Sequence, residues 1–225
     1  NFMQNKTVRS YWDTEDFGKS YQHGKQKHRE YLLDLLKEKG VYSLLDSGCG
    51  TGPIYELITK EMIPTAEMAT EVQRWRFKYK GTDYSWRMID TARKSFPEGK
   101  FEVQDARKMT EEDGSWDCVL LMHCLDHLND YKAAIKEAAR VSKKYVCIVL
   151  WRGFVNEGTH LNDRNMMGKK EGEAPFEDTY LQEYSKESLD EAFKEAGLAV
   201  EEVAEGEKIN GDASKYNFLY FLKKV

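Results

Sequence analysis

Asp46, Gly48, Gly50 and Gly52 fall at every second position of Asp46-Ser47-Gly48-Cys49-Gly50-Thr51-Gly52-Pro53, directly after the apolar pair Leu44-Leu45. A carboxylate followed by glycines at this spacing reads as a turn that lays bare backbone against a cofactor. Glycine removes the side chains that would block such an approach and tolerates the positive φ values of a tight strand-to-helix turn. Two further acids, Asp83 and Asp105, close the stretches Phe77-Lys78-Tyr79-Lys80-Gly81-Thr82-Asp83 and Phe101-Glu102-Val103-Gln104-Asp105. A carboxylate at the end of the strand after a glycine turn can accept from both hydroxyls of a ribose. The dinucleotide fingerprint G-x-G-x-x-G does not fit. Counted from Gly48 its sixth position is Pro53, and the third glycine comes one residue early.

These groups need a scaffold that brings several strand ends to one edge. Ser43-Leu44-Leu45-Asp46 reads as a buried parallel strand, and the stretches ending at Asp83 and Asp105 read as the second and third strands. Ser85 is placed to cap a helix carrying Trp86, Ile89 and Ala92. Trp116-Asp117-Cys118-Val119-Leu120-Leu121-Met122 reads as a fourth strand, Tyr131–Val141 as an amphipathic helix and residues 145–150 as a fifth strand. A helix over residues 24–39 precedes them. A helix capped at Ser185, a stop at Gly197 and strands over 198–203 and 218–222 close the chain. Ligands of open α/β sheets lie at the carboxyl ends of the strands.

The run Asp46-x-Gly48-x-Gly50-x-Gly52, with Asp83 and Asp105 in order behind it, resembles motif I and the following acids of the class I S-adenosylmethionine-dependent methyltransferases. The resemblance spans roughly residues 21–222 and matches best over 44–150. It implies one domain over residues 1–225, an α/β three-layer sandwich whose mostly parallel seven-stranded sheet ends in an antiparallel hairpin. An N-terminal lid and helix (1–40), a cofactor-binding core (41–150), an acceptor lid loop (151–184) and a C-terminal helix and hairpin (185–225) are its expected parts. S-adenosylmethionine is the implied cofactor and S-adenosylhomocysteine the product. Gly48 and Gly50, with Cys49 and Gly52 in the same turn, would then meet the methionine and ribose portions through backbone, and Asp46 would orient the amino group. Asp83 would hold the ribose hydroxyls, Tyr84 would lie on one adenine face, Asp105 would accept from the adenine amino group, and the Ala106 amide would donate to the ring. Met122 and Tyr21 are expected beside the same ligand. Gly48 and Asp83 stand 35 positions apart, against about 20 for the ordinary spacing, which implies an insertion near residues 61–76.

Methyl transfer from a sulfonium needs no covalent enzyme intermediate, so Cys124 is not needed as a nucleophile. In the family resembled, residues just after the fourth strand lie near the transferable methyl. That makes His123 the preferred acid/base group, with Tyr21, Asp126 and His127 as further candidates and a structural role also open to both histidines. His123, Asp126 and His127 are metal-ligating types, yet i, i+3, i+4 spacing arises freely on a helix and no metal is expected. The long segment 151–184 is read as the acceptor lid, with Trp151, Arg152 and His160 as substrate-binding candidates. The aromatic segment holding Tyr11, Trp12, Phe17 and Tyr21 is read as a lid over the cofactor.

Composition bounds the rest. The 225 residues, 40% hydrophobic and 12% aromatic, suit one sizeable core. Four cysteines without C-x-x-C spacing read as reduced core thiols. With a net charge of −5 and basic residues scattered, no nucleic-acid partner is expected; the cluster Lys25-Gln26-Lys27-His28-Arg29 reads as a solvated helix face. There is no run of about 18 apolar residues and no signal peptide, so a cytoplasmic protein without membrane attachment is expected. The expected activity is methyl transfer to nitrogen or oxygen of a small molecule. A protein or RNA target, or a subunit that only binds the cofactor, are the alternatives.

Overall fold

The computed structural model describes residues 27–61, 77–152, 158–161, 180–206, 208 and 216–225. The aromatic N-terminal segment, Tyr21 among it, and most of the expected insertion lie outside the described residues. Helix α1 (Lys27–Glu38) is followed by β1 (Ser43–Ser47), α2 (Pro53–Glu61), β2 (Lys78–Asp83), α3 (Trp86–Ser95), β3 (Phe101–Val103) and β4 (Trp116–Met122). After a 3-10 turn at Leu125–His127 come α4 (Tyr131–Val141), β5 (Ser142–Arg152), β6 (Gly158–Leu161), β7 (Tyr180–Glu183), α5 (Lys186–Glu195), β8 (Leu198–Ala204) and β9 (Tyr216–Lys224).

Seven strands form one sheet in the order β3-β2-β1-β4-β5-β9-β8. The first five run parallel, and β9 pairs antiparallel with both β5 and β8. The expected sheet and its C-terminal hairpin are both present. Alternation with period two splits the core between the faces. Leu44, Cys118, Leu120, Met122, Cys147, Val149 and Phe221 face one side with α1, α2 and α3. Leu45, Val119, Leu121, Val146, Ile148 and Leu222 face the other with α4 and α5.

Local signals place the helix starts. Ser85 Oγ accepts from the Met88 amide, Asp130 Oδ1 from the Ala133 amide and Ser185 Oγ from the Ser188 amide. Pro53 is the first residue of α2, where its missing N–H is no loss and its fixed φ suits the helix. The same proline that departs from the dinucleotide spacing therefore opens the helix after the glycine turn. Gly197, at φ +70°, follows α5 as expected.

The structure differs from expectation around the long segment. Trp151 and Arg152 are the last residues of β5, with Arg152 in register with Tyr216 of β9, rather than part of a loop. The segment also holds a two-stranded antiparallel sheet, β6 with β7, in which His160 is paired with Leu181. Long strands at the sheet centre continue as far as they find a partner, and β9 supplies one up to residue 152. No described helix is long and apolar enough to cross a membrane.

Candidate active site at the carboxyl edge of the sheet

Because β1 and β4 are neighbours while their connections leave in opposite directions, the carboxyl edge between them is the topological switch point of the sheet. The glycine turn starts there. Its backbone is pinned by β2, for the Gly48 and Cys49 amides both donate to the Thr82 carbonyl, at 2.7 and 2.9 Å. Asp83 completes the clamp. Its Oδ2 accepts from the Gly50 amide and its Oδ1 from the Ser85 amide, each at 2.9 Å.

The three glycines do different work. Gly48 has φ +90°, and a Cβ there would stand 2.5 Å from Cys124 Cβ. Gly52 has φ +88° and lies against Phe96 and Phe101, whereas a Cβ on Gly50 would meet nothing within 4 Å. Gly48 is thus a packing glycine and Gly50 faces open space. Gly48→Ala should destabilise by roughly 2–4 kcal/mol through overpacking and left-handed strain, read as a drop of roughly 5–15 °C in Tm. Gly50→Ala should leave Tm within about 5 °C, the smaller cost of left-handed backbone alone, and instead remove ligand affinity.

Asp46, at the end of β1, is 1% exposed. Its Oδ2 accepts from the Tyr79 hydroxyl at 2.7 Å. Burial pushes its carboxyl up to about 7, with Asp83 adding to the rise and the Tyr79 hydroxyl and Arg29 opposing it. Between pH 4 and 7 the folded chain therefore keeps a proton that the unfolded chain has lost, so stability falls as pH rises through that window, by on the order of 4 kcal/mol in all. Asp46→Asn preserves an acceptor for Tyr79 and removes the charge. The ligand-free variant should melt higher than wild type at pH 7.5, by calorimetry, with the gap closing towards pH 4.

His123 follows β4 and is 8% exposed, with its amide donating to the Val149 carbonyl at 2.8 Å. Its φ of +53° is the sole positive value among described residues other than glycine; strain of this kind gathers at functional sites. His127 closes the 3-10 turn, its amide donating to the Cys124 carbonyl. Met122 is buried at the end of β4, and Tyr84 is exposed beyond β2. The Cys49 and Cys124 thiols are pushed well above their ordinary range, by burial first and nearby carboxylates second, so neither is a thiolate nucleophile. Among the described residues no cluster of three or more His, Cys, Asp or Glu could hold a metal ion.

Asp105 lies past the end of β3, bridged to Lys108, with Ala106 half-buried beside it. Its carboxylate is engaged by Arg107 through Nε at 2.9 Å and Nη2 at 2.7 Å. Burial pushes this carboxyl up, and the Arg107 hydrogen bonds and charge outweigh that, leaving it below the ordinary value.

Three contributors escaped the sequence reading. His28 and Arg29, read there as part of a solvated face, are each only 4% exposed. The His28 ring lies 5.4 Å from the His123 ring, and burial, helped by Arg29, lowers its pKa to about 4, so it is neutral. Spacing carried the signal: His28, Leu32, Leu35 and Leu36 share one helical face, and Arg29, Leu32, Leu33 and Leu36 the adjoining one. Tyr79, the partner of Asp46, alternates with Lys78 and Lys80 in the manner of an inward-facing strand residue. Trp151 and Arg152 end β5 at this edge, His160 lies in β6, and β7, the partner of β6, packs on the Leu125–His127 turn. The Tyr184 hydroxyl donates to the Leu125 carbonyl at 2.7 Å.

A family model described as a methyltransferase domain matches residues 19–203. The demethylmenaquinone methyltransferase of Thermotoga maritima is 27% identical over 118 residues, 52% of this chain and 46% of that protein. The chain spans less than half the length of the first curated relatives it matches. Among solved structures, magnesium protoporphyrin IX methyltransferase from Synechocystis PCC 6803 superposes with a TM-score of 0.65 at 13% identity, over 96% of this chain and 94% of that one. An S-adenosylmethionine-dependent methyltransferase from Mesorhizobium loti gives 0.66 at 14% identity, over 89% and 99%. At these identities the structures speak for the fold.

Proposed function

We propose that this chain, which belongs to the class I S-adenosylmethionine-dependent methyltransferases, moves a methyl group from S-adenosylmethionine to a nitrogen or oxygen of a small-molecule acceptor. The observation that carries this reading is the Asp83 clamp, which holds Gly50 and Ser85 by their amides and so shapes the turn over open space. That space suits the cofactor: the turn offers backbone without side chains, and buried Asp46 offers a carboxylate to an ammonium group.

In this reading Asp46 holds the amino group, Asp83 the ribose hydroxyls, Gly48 and Gly50 the chain between them, Tyr84 an adenine face, and Asp105 with Ala106 the adenine edge. The bound cofactor supplies an electrophilic methyl on a sulfonium. His123 takes or holds the acceptor's proton, buried enough to keep water away. Alignment of the two reactants supplies roughly 7–11 kcal/mol of the barrier, so few catalytic groups are needed. A small acceptor is supported by the name of the demethylmenaquinone methyltransferase that the chain resembles and by the net charge of −5.

Calorimetry with S-adenosylmethionine and S-adenosylhomocysteine tests the premise, with micromolar binding expected, about −8 kcal/mol. A cation that pairs with Asp46 expels its proton, so S-adenosylmethionine affinity should rise from pH 5.5 to 7 and stay flat in Asp46→Asn. Release of S-adenosylhomocysteine from labelled cofactor over metabolite pools separates an enzyme from a subunit that only binds. Turnover on protein or RNA alone would redirect the acceptor assignment.

A further inference from the structure

We propose that Arg107 latches the base-binding end of the cleft: its guanidinium engages both oxygens of Asp105 and competes with the exocyclic amino group of a purine for that carboxylate. This rests on the cofactor reading above. Asp105 Oδ1 accepts from the Arg107 main-chain amide and from Nε, both at 2.9 Å. Oδ2 accepts from Nη2 at 2.7 Å and from Nε at 3.2 Å. An ionised carboxylate offers about four lone-pair sites; three N–H hydrogens meet them, the main-chain amide on Oδ1, Nη2 on Oδ2 and the single Nε hydrogen shared between the two oxygens. A purine amino group brought to Asp105 therefore competes with the guanidinium, which engages both oxygens.

A second tie crosses to the other side of the cleft. Arg107 Nη1 donates to Asn129 Oδ1 at 2.8 Å, joining the turn after β3 to the loop that enters α4. The side chains of Arg107 and Asp105 are 33% and 26% exposed, so the pair is open enough to break without unfolding its surroundings. Tyr84, the exposed ring expected against the base, is among the groups acting on the Arg107 charge. Tyr84 follows Asp83 at the end of β2 and Asp105 follows β3, its neighbour in the sheet, so the two residues stand at adjacent strand ends.

The latch also sets base preference. Adenine presents an N–H donor at its sixth position, and a 6-oxopurine presents an acceptor there. A guanidinium that stays on Asp105 opposes the first and can donate to the second. The Arg107 main-chain amide still holds Asp105 in its turn when the side chain is replaced, so substitution opens the acid without moving it.

The test measures Kd by calorimetry for S-adenosylhomocysteine and S-inosylhomocysteine on the wild-type chain, Arg107→Ala and Asn129→Ala. Arg107→Ala should bind the adenosyl ligand about three- to tenfold tighter, the range for a partly exposed charge-assisted pair, while the inosyl ligand gains nothing. Asn129→Ala should shift the same ratio in the same direction by less. An Arg107→Ala chain that binds S-adenosylhomocysteine no tighter than wild type, or that tightens on both purines alike, overturns the latch. A wild-type chain that binds neither ligand overturns the cofactor reading instead. Should Arg107→Ala fail to melt cooperatively, Asn129→Ala decides by the same ratio.

Discussion

His123→Gly lowers kcat by about 10²–10⁴-fold, the usual contribution of a general acid/base group, while cofactor affinity stays within a few-fold. Glycine is the cleaner replacement here than alanine. At φ +53° a non-glycine residue is strained, so glycine removes the imidazole and relieves the backbone together. Tm should hold or rise, which separates loss of chemistry from loss of fold. A residue acting mainly in the transition state shows this split between kcat and binding. Once the acceptor is found, a His123→Gly chain that keeps more than about a third of wild-type turnover at saturation ends the assignment. Positioning alone would then account for catalysis, with neutral His28 the next group to replace.

Asp83→Ala weakens S-adenosylmethionine and S-adenosylhomocysteine together, by about 10²–10³-fold. Its carboxylate holds the Gly50 and Ser85 amides, and charge-assisted bonds of this kind are each worth about 1.5–3 kcal/mol. Loss of both frees the glycine turn and the first turn of α3 before any ligand contact is counted. Equal weakening follows because nothing at the ribose senses the methyl group. A variant that bound the methylated cofactor normally and lost only the product, or the reverse, would place Asp83 elsewhere in the site.

Parts of the molecule whose causes are local are legible in the chain alone. The glycine run had to be a turn, Ser85 and Ser185 had oxygens at the spacing that caps a helix, and short apolar runs named the strands of the sheet. The acids at the strand ends are legible too, because a strand that leaves a buried sheet meets solvent and ligand at its terminus. Which of these groups act on one another depends on how the elements assemble. Asp83 clamps Gly50, 33 positions away, only because β1 and β2 lie side by side. His28 and Arg29 look like solvated charge in a basic run, yet α1 lays that face over the sheet edge, where burial holds His28 neutral against His123. Asp105 reads as an open acceptor in sequence; the turn after β3 brings Arg107 back onto it and ties both to Asn129. Spacing along a chain reports what a residue's neighbours in one element can do. Charge, burial and the sharing of acceptors depend on what other elements bring to the same few ångströms, and that is settled only when the sheet assembles.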